Sequence, residues 1–243
     1  PVVTHDWKSI AAPEEPCATP PLEHDTLVAA YLIDPAGRAY PLEELLEREG
    51  IAVNVKNADG LAQRAVGTRV LAERQLERIE ELGLTSLLRD VELPLVDVLI
   101  EMERTGVKLD VPQVVEISGR VAARIAALER EIWELAGEEF TIGSPQQLSE
   151  ILFNKLGLSK KRRGKTGFST DARVLQAIRD EHEIIPKIER WRELTKLVQT
   201  YLDALPAWIG DDGRLHTTFL QVNASTGRLA SINPNLQNIP IRT

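Results

Sequence analysis

The run Asp110-Val-Pro-Gln-Val-Val-Glu-Ile-Ser-Gly-Arg-Val-Ala-Ala-Arg-Ile-Ala-Ala-Leu-Glu-Arg-Glu-Ile-Trp-Glu-Leu-Ala-Gly137 reads as one long helix. Asp110 suits the N-cap, where its carboxylate accepts from a free backbone N–H, and Gly137 lies just past the end. Val114, Val121, Ile125, Leu128, Ile132 and Leu135 recur mostly at steps of four and three. That spacing makes a seam for another helix. A further helix is expected from about Glu183 to Leu205. There Ile184, Ile188, Trp191, Leu194, Val198, Tyr201 and Leu205 form an apolar face. Arg192, Thr195, Lys196 and Gln199 fall at i, i+3, i+4 and i+7, so they share a polar stripe. Between the two helices, Ser144 and Pro145 start a helix as N-cap and N1, ending near Gly157. A basic loop follows, then a short helix around Asp171–Asp180.

Outward from this hairpin the pattern changes on both sides. Residues 1–24 hold a short apolar start and a Pro-rich stretch, Ala12 to Pro21, that reads as loop. Helical periodicity runs from Asp25 to Ile33, appears again at Leu42, Leu45 and Leu46, and continues over 59–82 and 85–104, stopping at Gly106. This first part reads as a small, α-rich remnant of an α/β domain. After Pro206 a strand is expected over Arg214–Leu220, preceded by an Asp212-Gly213 turn. The rest is rich in Asn, Gln, Ser and Thr, with Pro234 and Pro240 as breakers. The expected class is mixed α/β, predominantly helical.

The 243 residues are 43% hydrophobic, enough for packed cores, and carry a net charge of −8. The charge is unevenly placed. Between Asn154 and Thr170 there are six Lys or Arg and no acid, and Gly213 to Thr243 holds three Arg and no acid. Such a surface repels polyanions except along a local track. The single cysteine, Cys17, excludes an intrachain disulfide and fits a reducing compartment. No apolar run approaches a membrane span and no signal peptide is visible. Pro1 at the start and Thr243 at the end both read as cuts in a longer chain.

Two segments carry candidate chemistry. Gln221-Val-Asn-Ala-Ser-Thr-Gly-Arg-Leu-Ala-Ser231 and Asn233-Pro-Asn-Leu-Gln-Asn-Ile-Pro240 are poor in charge and full of hydrogen-bonding groups. They read either as polar loops whose Asn residues cap turns, or as groups for sugars, phosphates and minor-groove acceptors. Lys160-Lys-Arg-Arg-Gly-Lys-Thr-Gly167 reads either as a solvated basic loop or as a phosphate contact. Its Gly-Lys-Thr lacks the first glycine of a Walker A loop, which argues against a nucleotide site.

These residues resemble bacterial family A DNA polymerases. Glu92-Leu-Pro-Leu-Val with Met102-Glu-Arg-Thr-Gly-Val-Lys-Leu-Asp110 resembles the entry to the thumb. Phe140-Thr-Ile-Gly-Ser-Pro-Gln-Gln-Leu148 is similar to the "F-N-x-x-S-x-x-Q-L" stretch, Lys165-Thr-Gly-Phe-Ser-Thr170 to the thumb-tip loop, and Arg192-Glu-Leu-Thr-Lys-Leu197 to "R-E-L-x-K-L". Arg214-Leu-His-Thr217, Thr226-Gly-Arg-Leu229 and Pro234-Asn-Leu-Gln-Asn-Ile-Pro240 match "G-R-[LV]-H-T", "T-G-R-L-S-S" and "P-N-L-Q-N-I-P". The runs occur in family order over residues 92–243. One departure is Ala230, where the family usually has Ser.

The resemblance implies three segments: residues 1–91, a partial 3′–5′ exonuclease-like domain of ribonuclease H-like ancestry; residues 92–205, a thumb with a long antiparallel helix pair; and residues 206–243, the first strands of a palm. It implies that Lys196 and Arg228 contact primer–template duplex DNA near the primer terminus, with Arg192 and Gly227 beside them. Gln221, Thr226, Asn235, Gln237 and Asn238 would bond sugars, phosphates or minor-groove acceptors. Lys165, Thr166, Ser169 and Thr170 would contact backbone phosphates. Two palm aspartates hold two Mg2+ ions in the family. Their "D-Y-S-Q-I-E-L-R" and "H-D-E" runs are not in this sequence, nor is the fingers helix that binds deoxynucleoside triphosphates. No catalytic or metal-binding residue is therefore assigned, and the isolated chain is expected not to polymerise.

Asp25-Thr-Leu-Val-Ala-Ala-Tyr-Leu-Ile33 looks like the exonuclease "D-T-x-L-x-x-Y-L" helix. The "N-L-K-x-D" motif falls on His5-Asp-Trp-Lys-Ser9, with Ser9 at the ligand position, and "Y-x-x-x-D" falls near Arg64–Thr68, which has neither residue. An inactive proofreading relic is expected, with His5 and Asp6 structural. The alternatives are a self-standing, non-catalytic duplex-binding protein and an active exonuclease of the ribonuclease D kind. A monomer located in the cytoplasm with the nucleoid, without membrane association, is expected.

Overall fold

The computed structural model describes residues 1–11, 20–53, 59–159, 163–164 and 167–239. By contact the chain forms two compact units, one of Pro1–Lys108 with Gly210–Ile239 and one centred on Leu109–Ile209.

In the first unit, β1 (Val2–Thr4) pairs in parallel with β2 (Leu22–Asp25), and α1 (Trp7–Ala11) follows β1. Sequence periodicity did not reveal this short pair, because three or four residues are too few to show alternation. Asp25 closes β2 and caps α2 (Thr26–Ile33), its carboxylate accepting from the backbone N–H of Leu27, Asp6 and Trp7. One buried side chain thus ties strand, helix and the turn at Asp6 together. Next come α3 (Leu42–Arg48) and α4 (Gly60–Glu81), whose N-cap Asp59 accepts from Ala62 N–H. The expected helix over 85–104 is α5 (Thr85–Leu87), a π-helical turn (Leu88–Glu92) and α6 (Leu93–Thr105), stopped by Gly106. Val28, Ala29, Ile79, Leu88, Val96 and Ile100 form one core; Tyr31, Tyr40, Leu42, Leu45 and Leu71 form a second. Val222 packs against both.

After α6, β3 (Val107–Lys108) leads into the second unit. There α7 (Val111–Ala136) has Asp110 and Gly137 as its caps; the Asp110 carboxylate accepts from Gln113 N–H at 3.1 Å and Gly137 is left-handed. α8 (Pro145–Ser149) runs into a π-helical stretch, Glu150–Lys155. β4 (Arg163–Gly164) pairs antiparallel with β5 (Gly167–Phe168), and α9 (Ala172–Ala177) follows. α10 (Ile184–Leu197) ends in a π-helical turn, Val198–Leu202, and a 3-10 turn, Leu205–Trp208. Contacts between α7 and the α10 segment run in opposite senses: Ser118 bonds Asp203, Trp191 donates to Glu129 and Lys187 pairs with Glu131. The helices are therefore antiparallel. Ile132, Ile142, Leu148, Leu152, Leu175, Ile184, Ile185 and Ile188 make this unit's core. It gathers at the C-terminal end of α7, while Val114, Val121 and Ile125 nearer the N-terminus are only half-buried.

The single strand expected over Arg214–Leu220 is two strands in the first unit. β6 (Arg214–Leu215) pairs with β3, and β7 (Thr218–Leu220) pairs with β8 (Ala230–Ile232). The break lies at His216 and Thr217, whose side chains bond backbone carbonyls on different segments and turn the chain from one partner to the next. The architecture is predominantly helical mixed α/β.

Candidate nucleic-acid interface

The β7–β8 hairpin carries four of the candidates, Gln221, Thr226, Gly227 and Arg228. Phe219 lies opposite Ser231, and residues 221–229 form the connection. Within it Gly227 N–H donates to the Ala224 carbonyl at 3.1 Å, closing a turn. Gly227 has φ +74°, a left-handed conformation that glycine adopts without cost; a Cβ there would meet none of the described residues within 4 Å, so among them the constraint is one of backbone. Thr226, Gly227 and Arg228 are exposed. Among the described residues, Arg228 has no hydrogen-bond or ion-pair partner. Gln221 differs: it is buried at the base of the connection, and its side-chain amide donates to the Glu92 carbonyl at 2.9 Å and carboxylate at 2.6 Å. It anchors the hairpin to the start of α6.

Beyond β8 the chain turns at Asn233, with φ +53°, and Pro234 follows a cis peptide bond. The buried Thr217 hydroxyl lies 3.0 Å from the Ile232 carbonyl and 2.7 Å from that of Pro234. Fully buried Ser231 accepts from Leu236 N–H. The Asn235 side-chain oxygen accepts from the N–H groups of Gln237 and Asn238 at 3.1 and 3.2 Å, an Asx turn. Asn235, Gln237 and Asn238 are exposed on it. Asn235 therefore caps a turn, the first of the two readings of this run, and the turn presents the side-chain amides outward. β8 separates the two turns, about 10 Å of strand.

The hairpin stands on the end of α6. The Glu103 carboxylate accepts from Phe219 N–H at 2.6 Å and from Lys8 Nζ at 2.7 Å. Arg214 donates to the carbonyls of Thr105 and Gly106. His216 Nδ1 lies 2.7 Å from the Glu103 carbonyl, and Nε2 lies 3.1 Å from the Asp212 carboxylate. Both ring nitrogens face acceptors, so both bonds form only in the imidazolium. The Glu103 carbonyl first and the Asp212 carboxylate next raise the His216 pKa. The Asp212 pKa is lowered, chiefly by Arg214 N–H and then by His216. Glu103, Lys8 and Glu92 stand inside the motif runs, but the sequence gives them no role, because their partners lie some ninety or more residues away.

In the second unit Lys196 is exposed on α10, without a partner among the described residues. Its expected stripe neighbour Arg192 is half-buried and donates to the carbonyl and hydroxyl of buried Thr170, fastening α10 to the segment after β5. Burial lowers the Arg192 pKa from its ordinary value. Ser169 donates to Asp171, the N-cap of α9. The structure thus brings Arg192 to Thr170 and Ser169 to Asp171, and leaves Lys196 outward. Lys165 and Thr166 lie outside the described residues, as does Cys17.

In the His5–Ser9 run, Asp6 accepts from the backbone and hydroxyl of Ser9, and His5 Nδ1 bonds the Thr26 hydroxyl at 2.9 Å. Among the described residues, no group of three or more His, Cys, Asp or Glu is placed to hold a metal ion. Among them, too, no helix is long and apolar enough to cross a membrane.

Residues 111–243 match the model of the family described as DNA polymerase family A. Among curated proteins, DNA polymerase I of Caldicellulosiruptor bescii is 41% identical over 226 residues, covering 90% of this chain and 26% of that protein. The thermostable DNA polymerase I of Thermus aquaticus is 43% identical over 241 residues, covering 97% of this chain and 28% of the relative. The chain therefore spans about a quarter of the length of these relatives. A solved structure of the polymerase domain of Pol1 from M. smegmatis, in complex with DNA primer-template and dNTP, matches with a TM-score of 0.78 and 35% identity. That match covers 91% of this chain and 39% of the other.

Proposed function

Because this chain belongs to DNA polymerase family A, we propose that it is the part of a DNA-directed DNA polymerase that grips primer–template duplex DNA. The observation that carries the reading is the Thr226-Gly227-Arg228 turn, held at its base by buried Gln221 and presenting an unpaired guanidinium outward. Arg228 and Lys196 supply positive charge for phosphates or the minor groove. Thr226, Asn235, Gln237 and Asn238 supply neutral donors and acceptors. Contacts of this kind position a duplex without reading its sequence, as a polymerase requires. Gln221, Thr170 and Arg192 serve from beneath, by fixing the segments that carry the outward groups. Lys165, Thr166 and Ser169 belong to the proposed thumb tip.

Under this reading residues 1–91 are an inactive exonuclease relic, 92–205 the thumb and 206–243 the start of the palm. The residues present do not fit a two-metal centre. The carboxylates of Asp6 and Asp25 are already bonded by Ser9 and by three backbone amides. The two Mg2+ ions of the complete polymerase belong to palm aspartates, and the deoxynucleoside triphosphate to a fingers helix, none of which this sequence contains. Replication and repair, action as a monomer, and a place in the cytoplasm with the nucleoid are parts of the same proposal.

The test is to mix the 243-residue chain with a labelled primer–template, deoxynucleoside triphosphates and Mg2+. Retarded DNA with a primer of unchanged length is expected. Primer extension or 3′ trimming by the purified chain would overturn the assignment of a gripping, non-catalytic role.

A further inference from the structure

The turn that carries Arg228 is held from an unexpected side. Tyr31 lies in α2, in the exonuclease-like part, and its side chain is 4% exposed. Its hydroxyl donates to the Ala224 carbonyl at 2.8 Å, across 193 residues of sequence. The same carbonyl accepts Gly227 N–H at 3.1 Å. Both lone pairs of one oxygen are therefore used, one by the turn itself and one by the buried tyrosine. A carbonyl pinned in this way sets the orientation of the peptide that opens the turn, and so the direction in which Arg228 leaves it. Val222, two residues earlier, packs against both cores of the same unit. The Tyr31 ring is itself fixed by a T-shaped contact with Tyr40, centroids 6.3 Å apart.

We propose that Tyr31 is a positioning residue for DNA binding, the exonuclease-like part holding the Ala224–Arg228 turn in its binding geometry through one hydroxyl. This rests on the reading that Arg228 contacts duplex DNA. It gives the inactive domain a specific task, because a turn pre-set by a rigid core loses less freedom on binding than a free one. A tyrosine serves this purpose where a phenylalanine does not, since the ring packs in either case and only the hydroxyl reaches the loop.

The test compares Tyr31→Phe, Tyr40→Phe and Arg228→Ala in the full 243-residue chain, by amide hydrogen exchange and by titration with a short duplex. Tyr40→Phe is the control. It removes a hydroxyl from the same ring pair, but one that bonds the Asp34 and Gly37 carbonyls. Tyr31→Phe is expected to lower Gly227 amide protection on the order of fivefold, the loss of one partly buried hydrogen bond. It should weaken duplex binding by a smaller factor than Arg228→Ala, while protection in α2 and α4 stays unchanged. Tyr40→Phe should leave Gly227 and DNA affinity as they are. Unchanged Gly227 protection in Tyr31→Phe overturns the positioning role whatever DNA does. Lost protection with undiminished affinity, where Arg228→Ala does weaken binding, overturns it as well. Lost protection with Arg228→Ala binding at full strength leaves Tyr31 holding a turn that does not touch DNA, which refutes the Arg228 contact and the DNA role of Tyr31 together.

Discussion

Replacing Gly106 by alanine tests how the hairpin is seated. Gly106 ends α6 with φ +62° and ψ −177°, a region almost confined to glycine. A Cβ there would lie 2.8 Å from the Leu215 carbonyl oxygen and 2.8 and 2.9 Å from His216 Cε1 and Nδ1. The backbone strain alone costs about 1–3 kcal/mol. Moving a backbone carbonyl out of the way adds about 1–3 kcal/mol, as overpacking does. The structure therefore predicts about 2–6 kcal/mol of destabilisation, a large share of a domain's stability. The cost should be local to the first unit, where the bonds from Arg214 to Thr105 and Gly106 and from His216 to Glu103 would be broken. Gly119→Ala is the internal contrast. Gly119 lies within α7, exposed, with open space where its Cβ would stand. Alanine there should stabilise the second unit by up to about 1 kcal/mol. Hydrogen exchange read on peptides from each unit measures both changes. A loss below about 0.5 kcal/mol for Gly106→Ala, against the strain expected of that conformation, would refute the close approach of β6 to the end of α6.

Three further outcomes follow from single groups. The raised pKa of His216 means that its contribution to stability is fully present below its unfolded pKa and is lost as pH rises through the folded value; His216→Gln should remove that alkaline loss from a pH series of unfolding midpoints. His24 has the opposite sign: its Nε2 faces the Gln75 carbonyl oxygen, its buried Nδ1 has no partner among the described residues and burial lowers its pKa, so its part in stability is lost as pH falls below the unfolded value, and His24→Gln should blunt the acid limb of the same series. Asp110→Ala removes the N-cap of α7 and should cost about 1 kcal/mol in urea unfolding of the second unit.

The long helices were legible because their signals are local and repeated. Asp110, Gly137 and Ser144 act as caps where spacing put them, and the four-and-three seam of α7 meets α10. The strand at Arg214–Leu220 was misread because alternation cannot show a change of partner. That change is made by His216 reaching a carbonyl 113 residues away and Thr217 one 17 residues away. The candidate interface divides in the same way. Exposure of Thr226, Arg228 and Lys196 follows from their polar surroundings. No local pattern could tell that Gln221 would turn inward to Glu92, or that Arg192 would bond Thr170. Nor could it tell that Tyr31, from α2, would reach the Ala224 carbonyl. Such pairings are properties of the packed chain, and composition carries no trace of them.

The salt dependence of duplex binding tests the central claim most directly. Anisotropy titrations of a labelled duplex across a range of salt should give a plot of log affinity against log salt with a steep negative slope, nearly the same for unrelated sequences. Arg228→Ala and Lys196→Ala should each weaken binding for every sequence and make the slope shallower by about 0.9, one phosphate contact apiece. A folded chain that fails to bind duplex at low salt, or variants that leave both affinity and slope unchanged, would contradict the account.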